Sequence, residues 1–342
     1  MSLFHQERPS APIVPVPYFH LSGDRIVCDL CPVHCRLKEG DTGLCLGRTV
    51  REGRLIASNY GEMVSLAADP IEKKPLYHVM PGSVIWSTGP NGCNLRCRWC
   101  QNCEISQKKA PTHYFSPQSL ANYAMTRGSV GMAYTYTEPL MWFEYILDAA
   151  PLVRNQGGIN VLVTNGYIEE KPLRELLPLI DAANVDLKFI DPDLYKRYSS
   201  GKLAVIQNSI KIMHEIDVHV ELTHLLVSGL ADNPDHTARL ADWIASLDPN
   251  IPLHLSRYFP RNRWSEPPTS SIKIEKCYYE AKKRLRYVYI GNFLTSEGSD
   301  TFCPGCSNLI VRRNGYQVEK VGLTAEGKCD RCGYRLNFLL KK

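Results

Sequence analysis

Residues 83–106 read SVIWSTGPNGCNLRCRWCQNCEIS, an apolar, strand-like run that leads directly into a cysteine-rich loop. Cys93, Cys97 and Cys100 form a C-x3-C-x2-C pattern, and Trp99 immediately precedes the third cysteine. Three thiolates on one loop can hold three irons of a four-iron cluster and leave the fourth iron without a protein ligand. Cys103 offers a competing C-x2-C-x2-C register. A structural zinc, or a ferredoxin-like cluster with its fourth ligand elsewhere, is the alternative to an open cluster.

Strand-like and helical segments alternate after residue 82. Further strand-like runs follow the first at 130–136, 159–164, 184–189, 218–227, 251–256 and 286–291. Helical spacing occupies the intervals between them at 140–153, 171–180, 204–216, 235–247 and 271–284. Strands that alternate with crossover helices predict a parallel sheet with right-handed connections. We therefore expect an α/β fold with a partial (β/α)6-type barrel over 82–295, although the periodicity also permits an open sheet.

A second cysteine set lies in the N-terminal segment, residues 1–81. Cys28, Cys31, Cys35 and Cys45 follow the pattern C-x2-C-x3-C-x9-C, and nearby glycines permit the turns that would bring the fourth thiol back to the first three. Four thiolates can hold a structural zinc or a second cluster, and the spacing does not choose between them. The segment is predicted to bind metal.

A third set lies in the C-terminal segment, residues 296–342. Cys303 and Cys306 form one C-x2-C knuckle, and Cys329 and Cys332 form another after 22 intervening residues. This spacing resembles a zinc ribbon and predicts a tetrahedral four-sulfur site for zinc or a rubredoxin-like iron. The partial barrel should therefore carry small cysteine-rich, metal-binding flanks at both ends.

Composition and charge narrow the classes of function. The 342 residues include 13 cysteines and carry a net charge of only +5, without a block of consecutive basic residues, so nucleic acid is not an expected partner. Residues 1–20 show no secretory signal, and no apolar stretch reaches the roughly 18 residues of a membrane span. We expect a cytoplasmic protein that does not enter a membrane. Its reduced thiols would then be metal ligands rather than disulfides.

The cysteine loop resembles that of the radical S-adenosylmethionine (SAM) enzymes, in its spacing, its aromatic residue and its place after the first strand. The resemblance implies a [4Fe-4S] cluster on Cys93, Cys97 and Cys100 whose open iron chelates SAM. Reduction by an external donor such as ferredoxin or flavodoxin would then cleave SAM. The resulting 5'-deoxyadenosyl radical would abstract hydrogen from a substrate that the sequence does not identify.

Residues at the predicted strand ends extend the resemblance. Residues 136–139, YTEP, are similar to the Gly-Gly-Glu-Pro motif of these enzymes, with Glu138 retained and both glycines replaced. Residues 164–166, TNG, and 186–188, DLK, look like stretches of the pyruvate formate-lyase activating enzymes. The resemblance implies SAM contacts, at strand ends and on the cysteine loop, from Glu138, Asn165, Asp186, Lys188, His254 and Trp99. Asp186 and Lys188 could instead pair with each other, and each polar residue taken singly could be a satisfied charge at a barrel rim.

The whole chain resembles the radical SAM proteins of the AmmeMemoRadiSam system. The matching segments span most of its length: the N-terminal cysteine set, IEKKPLYH (71–78), the cysteine loop, SRYFP (256–260), YVYIGN (287–292) and TFCPGC (301–306). This resemblance implies Memo-like and AMMECR-like partner proteins. A glycyl-radical-enzyme activase remains the alternative function, and a non-catalytic, multi-metal nucleic-acid-binding protein is a weaker one.

Overall fold

The computed structural model describes residues 12–293, 295 and 297–340. The first eleven residues lie outside the described residues, and so does that part of the prediction that residues 1–20 contain no secretory signal. In the described part, no helix combines the length and the apolar character needed to cross a bilayer.

The described residues form eighteen strands and eight α-helices. The strands are β1 (Phe19–Ser22), β2 (Arg25–Cys28), β3 (Arg36–Leu37), β4 (Arg48–Arg51), β5 (Arg54–Ala57), β6 (Glu62–Met63), β7 (Ser65–Pro70), β8 (Val84–Gly89), β9 (His113–Tyr114), β10 (Ser129–Tyr134), β11 (Ile159–Thr164), β12 (Ala182–Asp186), β13 (His219–Leu226), β14 (Leu253–Arg257), β15 (Val288–Gly291), β16 (Thr301–Phe302), β17 (Leu309–Asn314) and β18 (Gln317–Lys320). The helices are α1 (Cys103–Ser106), α2 (Pro117–Ala124), α3 (Phe143–Asn155), α4 (Glu170–Leu176), α5 (Pro192–Ser199), α6 (Leu203–Glu215), α7 (Pro234–Leu247) and α8 (Ser271–Lys282).

One large sheet confirms the predicted α/β class. Its strand order is β15-β14-β13-β12-β11-β10-β8-β7. The seven strands from β15 to β8 run parallel to one another, and β7 pairs antiparallel with β8. Helices fill the connections between the parallel strands, as right-handed crossovers require. The sheet has seven parallel strands, one more than a (β/α)6 unit, and its edges β7 and β15 are not paired with each other in the described residues.

The sheet curves around a cavity at the carboxyl ends of its strands. Residues from β12, β13 and β14, and from the loops after β8, β10 and β11, line this single cavity. Neighbouring strands lie about 4.8 Å apart, so six consecutive strands of a flat sheet would be too widely spread for all of them to border one cavity. The fold is therefore a partial barrel.

Local sequence explains where several helices begin. Ser116, Asp191 and Asn233 each cap a helix with a side-chain oxygen that accepts from a backbone N–H in the first turn. A proline follows each cap at the first helical position, where its missing N–H costs nothing. The same chemistry accounts for α2 and α5, two helices that the periodicity did not predict.

The N-terminal part consists of small sheets attached to the barrel. Strands β1–β3 form one antiparallel sheet, β4 and β5 a hairpin, and β6 pairs with β9. Strand β7 belongs to the predicted N-terminal segment, yet it pairs antiparallel with β8 along its whole length. The main sheet therefore begins before the predicted boundary at residue 82.

The C-terminal part is a three-stranded antiparallel sheet, β16–β18, which is fixed to the barrel by buried polar contacts. Arg313, 5% exposed, donates to Tyr77 O at 2.7 Å, and Thr301 Oγ1 lies 2.7 Å from Tyr289 Oη on β15. Farther along, the His78 ring stacks on Phe338 at 4.3 Å between centroids. The end of the chain thus returns to the residues that precede β8.

Candidate active site

The three cysteines of the predicted cluster loop come together at the mouth of the barrel. Cys93, Cys97 and Cys100 line the cavity at the strand ends, whose volume is about 260 Å³. Cys103 is not among the lining residues: it begins α1, is 6% exposed, and its Sγ lies 3.6 Å from Glu104 Oε1. The geometry therefore brings together the C-x3-C-x2-C set and leaves out the competing register.

Two glycines allow the loop to pack closely on its surroundings. A Cβ on Gly89 would lie 2.0 Å from Thr135 O, and a Cβ on Gly92 would lie 1.8 Å from Cys45 O. Gly92 also has a φ of +100°, which side chains rarely adopt. These positions accept only glycine without a backbone shift.

Glu138 lies in the same cavity and is fully buried. Its Oε1 accepts from Leu140 N at 3.0 Å and Thr164 Oγ1 at 2.6 Å, and its Oε2 accepts from Asn165 N at 2.8 Å. Burial raises the pKa of Glu138 to about 7, although these hydrogen bonds act in the opposite direction. A carboxylate has about four acceptor sites, so one remains for a cationic ligand.

Tyr136 keeps the backbone shape that a glycine would supply. Its φ is +70°, in the left-handed region that favours glycine. Residues of the N-terminal segment fix its side chain: Tyr136 Oη donates to Asp69 Oδ2 at 2.9 Å, and Lys74 Nζ lies 4.8 Å from the ring centroid. This position therefore has a left-handed backbone conformation although it carries a tyrosine where the motif has a glycine.

Asn165 and the Asp186–Lys188 pair complete the polar wall. Asn165 Nδ2 lies 3.5 Å from Cys93 Sγ and donates to Asn94 Oδ1 at 3.0 Å. Lys188 Nζ lies 3.0 Å from Asp186 Oδ2, so these two residues do pair while both line the cavity. Burial disfavours the charged amine, but Asp186 and Cys97 outweigh it and raise the pKa of Lys188. Lys188 is a fixed positive charge beside the thiols.

Trp99, Thr223 and Ser256 form another part of the cavity wall. Trp99 is 3% exposed, lines the cavity and packs edge-on against Phe189. Thr223 and Ser256 line the far side and also line a second cavity of about 570 Å³. The two cavities are therefore neighbours with a shared wall.

His254, which was predicted to contact SAM, is not among the residues that line the cavity of the thiols. It is 2% exposed, lines the second cavity, and its Nε2 lies 2.6 Å from Glu221 Oε2. His254 precedes Ser256 by two residues on β14, so both face the same side of the sheet, but His254 lies deeper in the barrel. Tyr77 N and His78 N also donate to Glu221.

Sequence reasoning missed several groups that the structure places at or beside the site. Thr164 fixes the Glu138 carboxylate, Asn94 connects the cysteine loop to Asn165, and Glu221 fixes His254. Asn94 lies inside the cysteine motif itself, which was a usable signal. Glu221 could not have been found in this way, because a single acidic residue in an apolar strand does not indicate which residues it contacts.

The residues present fit an iron–sulfur cluster with room for a second ligand. Thiolates are the ligands that such clusters prefer. The volume beside the three thiols is far larger than a single ion fills. Glu138 and Lys188 add one acceptor and one positive charge, which match the amino and carboxylate groups of an amino-acid ligand.

The two flanking cysteine sets differ in their geometry. The Sγ atoms of the C-terminal set, Cys303, Cys306, Cys329 and Cys332, all lie within 4.8 Å of one another. In the N-terminal set, Cys28, Cys31 and Cys45 are each 6% exposed and Cys35 is half-buried. These four line one cavity together with Arg48 and Asn94.

Comparisons with known proteins agree with this site. The family model described as Radical SAM superfamily matches residues 88–244. An uncharacterized protein of Methanocaldococcus jannaschii is 36% identical over 330 residues, which cover 94% of this chain and 98% of that protein. A pyruvate formate-lyase-activating enzyme of Clostridium pasteurianum is 25% identical over 161 residues, 46% of this chain and 67% of that enzyme.

Among solved structures, a domain of the pyruvate-formate lyase-activating enzyme of Bacteroides vulgatus is 20% identical, with a TM-score of 0.42. The match covers 47% of this chain and 98% of that domain. Two findings assign the family: the relative that matches nearly the full length of the chain, and the family match. The family match begins at the last residues of β8 and includes the cysteine loop. The chain belongs to the radical SAM superfamily.

Proposed function

We propose that this enzyme cleaves SAM reductively and uses the product radical to abstract hydrogen from a substrate. The observation that carries the proposal is one cavity lined by Cys93, Cys97 and Cys100 together with Glu138 and Lys188. When bound to the three thiolates, a [4Fe-4S] cluster supplies the electron that cleaves SAM to methionine and a 5'-deoxyadenosyl radical.

The chain's own residues bind and orient SAM in this proposal. The free acceptor site of Glu138 receives a hydrogen bond from the SAM amino group, and Lys188 faces the SAM carboxylate. Asn165 fixes the loop through Cys93, and Asp186 holds the Lys188 amine in place. Trp99 closes the wall beside the third cysteine. Each role places an opposite charge or a complementary donor next to the ligand group, which is how a protein positions a reactive cofactor.

The second cavity is the proposed substrate chamber. It shares Thr223 and Ser256 with the first cavity, so a molecule in it would lie next to the site of SAM cleavage. Tyr77, His254 and Arg313 line it, and the Arg313 guanidinium lies 4.4 Å from the Tyr77 ring centroid. The C-terminal segment therefore contributes to the chamber wall as well as binding metal.

Partners and metals complete the proposal. An external one-electron donor such as ferredoxin or flavodoxin supplies the electron, in a reducing, cytoplasmic setting that keeps the thiols free. The C-terminal cysteine set holds a single tetrahedral ion, zinc in preference to a rubredoxin-like iron. The proposed Memo-like and AMMECR-like partners rest on the sequence resemblance alone.

A glycyl-radical activase is the second candidate function. The observation that favours it is similarity to enzymes named pyruvate formate-lyase-activating enzyme. This function predicts a glycyl-radical EPR signal in a protein encoded beside this one after incubation with SAM and reductant. Failure of every neighbouring protein to give that signal would remove this candidate.

SAM cleavage is the experiment for the main proposal. The anaerobically reconstituted protein, reduced with dithionite, should form 5'-deoxyadenosine from SAM. Cys100→Ala should abolish the product, whereas Cys103→Ala, an adjacent thiol outside the cavity, should retain it. A fully loaded wild-type protein that forms no 5'-deoxyadenosine would refute the proposal.

A further inference from the structure

The N-terminal and C-terminal cysteine sets differ in how closely their sulfurs approach. In the C-terminal set, Cys303 Sγ lies 3.6 Å from Cys332 Sγ, and Cys306 Sγ lies 3.7 Å from Cys329 Sγ. Two sulfurs bound to one zinc at about 2.3 Å cannot be more than about 4.6 Å apart. The C-terminal sulfurs therefore have the spacing of a single-ion site.

No three of the N-terminal thiols lie as close to one another as the C-terminal sulfurs do. Among the described residues, the C-terminal set is the only group of three or more His, Cys, Asp or Glu side chains whose ligand atoms all lie within 4.8 Å. Cys28, Cys31, Cys35 and Cys45 nevertheless line one common cavity. Wider spacing around a common centre is what a multi-iron cluster requires, because its ligands bind different irons.

Arg48 supplies a second, independent indication at this cavity. It lines the cavity and is 1% exposed, and its Nη2 donates to both carboxylate oxygens of Glu144, at 2.8 and 3.1 Å. Its Nε is nevertheless buried without a hydrogen-bond partner. A buried donor that lacks an acceptor is costly. Hydrogen bonds to cluster sulfurs are a common way to satisfy such donors and to tune cluster potentials.

The two cysteine sites are separated by a single loop. The backbone of Gly92 packs directly against Cys45 O, at a distance that excludes any Cβ. Asn94 lines the N-terminal cavity and accepts from Asn165, whose Nδ2 also lies 3.5 Å from Cys93 Sγ. Arg96 connects the same two segments, because it donates to both Cys93 O and Leu44 O. Residues 92–96 thus contact both sites.

The outer side of the N-terminal site lies near the protein surface. Cys35 is half-buried, and its sulfur accepts from the backbone N–H of Leu44, whose side chain is 37% exposed. An electron donor that binds at Leu44 would therefore lie close to Cys35. On the opposite side of the site, Cys45 packs against the loop that carries Cys93.

We propose that Cys28, Cys31, Cys35 and Cys45 hold a second [4Fe-4S] cluster that passes electrons from an external donor to the SAM-binding cluster. One electron reduces the second cluster as the donor is oxidised, and the same electron leaves it for the catalytic cluster, so no bond or proton is transferred. The relay rests on the proposed function, whereas the metal content of the site does not.

Iron content tests the second cluster without any SAM chemistry. The triple variant Cys93→Ala, Cys97→Ala, Cys100→Ala should retain about four irons per chain after anaerobic reconstitution. It should show a [4Fe-4S]⁺ EPR signal on reduction that SAM does not change, and about one zinc per chain from the C-terminal set. The triple variant with about two zincs per chain and no cluster signal would overturn the proposal.

A further substitution tests whether the iron that the triple variant retains is bound by the N-terminal cysteines. Cys35→Ser in the triple-variant background should remove or strongly alter the remaining EPR signal, and this half-buried position limits the risk of misfolding. Cys277→Ser, at a buried cysteine outside all three sets, is the control and should leave the signal unchanged. An unchanged signal in the Cys35→Ser protein would contradict this ligand set.

The relay is tested by comparing two reductants in the otherwise wild-type enzyme. Cys35→Ser should lower the ratio of flavodoxin-driven to dithionite-driven 5'-deoxyadenosine formation by at least about tenfold, because only the protein donor depends on the relay. An unchanged ratio would overturn the relay. If wild type forms no nucleoside with either reductant, the proposed function fails, while the iron content still decides whether the second cluster exists.

Discussion

Asn165 Nδ2 lies 3.5 Å from Cys93 Sγ, and this contact joins the end of the third parallel strand to the cysteine loop. The backbone of the same residue donates to Glu138 Oε2 at 2.8 Å. Asn165 therefore connects the thiol that would bind iron to the carboxylate that would bind SAM. The arrangement of the site depends on contacts between strand ends as much as on the cysteine motif.

Replacement of Asn165 by aspartate tests this connection. The substitution retains the shape of the side chain but removes the donor and puts a negative charge beside the Cys93 sulfur. SAM cleavage should fall by about 10- to 100-fold, as for other residues that support metal ligands, and the cluster potential should become more negative. Asn122→Asp, at an exposed position, is the control. Equal rates and potentials in the two variants would contradict a role for Asn165.

Glu138→Gln should destabilise the protein and weaken SAM binding. The carboxylate now accepts hydrogen bonds from three donors, and the glutamine NH2 group would face at least one of them. Because two donors cannot bond to each other, the free energy of unfolding should fall by about 1–3 kcal/mol. Chemical denaturation and equilibrium SAM binding measure the two effects. Glu104→Gln, in an exposed pair with Lys108, should change the stability by less than about 0.5 kcal/mol. A Glu138→Gln protein as stable as that control would show that the three hydrogen bonds contribute nothing.

Gly92→Ala should disturb both cysteine sites together. The new Cβ would lie 1.8 Å from Cys45 O at a φ of +100°, so the loop and the N-terminal segment must separate. We expect a loss of about 3 kcal/mol or more in unfolding free energy, or failure to fold, together with lower iron content. Gly291→Ala is the matched control, since its Cβ would meet no atom closer than 3.9 Å. Similar stability of the two variants would refute the close packing.

His78 should make the protein less stable in acid. Burial lowers the pKa of His78 to about 3, and the neutral ring donates from Nδ1 to Asn337 O and accepts at Nε2 from Tyr289. The pKa of an unfolded histidine is about 6.5, so unfolding takes up a proton between these two values. The stability due to neutral His78 is complete above about pH 6.5 and is lost as the pH falls toward 3, by about 2 kcal/mol between pH 6.5 and 5.

Denaturation curves of wild type and His78→Gln over pH 5–7 check this prediction. The variant should show a shallower dependence of unfolding free energy on pH by about that amount. Gln118→Ala, at an exposed position, removes no titratable group and should leave the wild-type slope intact. A His78→Gln slope equal to that of wild type would contradict the buried, neutral state.

Zinc at the C-terminal set should stabilise the segment that borders the proposed substrate chamber. Cys306→Ser should remove about one zinc per chain and increase hydrogen exchange over residues 301–339, because such an ion contributes directly to folding. Iron at the catalytic loop should remain. Cys103→Ala should alter neither metal. A Cys306→Ser protein with wild-type zinc content would show that these four thiols do not form the site.

The main sheet and the cysteine loop were predictable because their signals are local. Each parallel strand is a short apolar run, and the C-x3-C-x2-C spacing is contained in one loop. Strand β7, SLAADP, has no such signal, and its pairing depends on the free edge of β8. Helix α5 was missed although Asp191-Pro192 is a helix-start signal.

The candidate site was predictable only in part. The sequence indicates which face of a strand a residue lies on, but not whether its side chain is close enough to the strand end to reach the cavity. His254 and Ser256 face the same side of β14, but only Ser256 reaches the cavity of the thiols. Tyr136 shows the opposite case: its sequence departs from the glycine motif, whereas its positive φ lies in the region that favours glycine. Long-range contacts with Asp69 and Lys74 fix its side chain, and no local pattern announces them.

We propose that Cys93, Cys97 and Cys100 hold a cluster whose remaining iron binds SAM. Electron-nuclear double resonance on the reduced protein, with SAM labelled with ¹⁵N at the amine and ¹⁷O at the carboxylate, tests it most directly. We predict hyperfine coupling of both labels to the cluster, and its loss in Cys100→Ala. A reduced, cluster-loaded protein that binds labelled SAM without coupling from either atom would contradict the account.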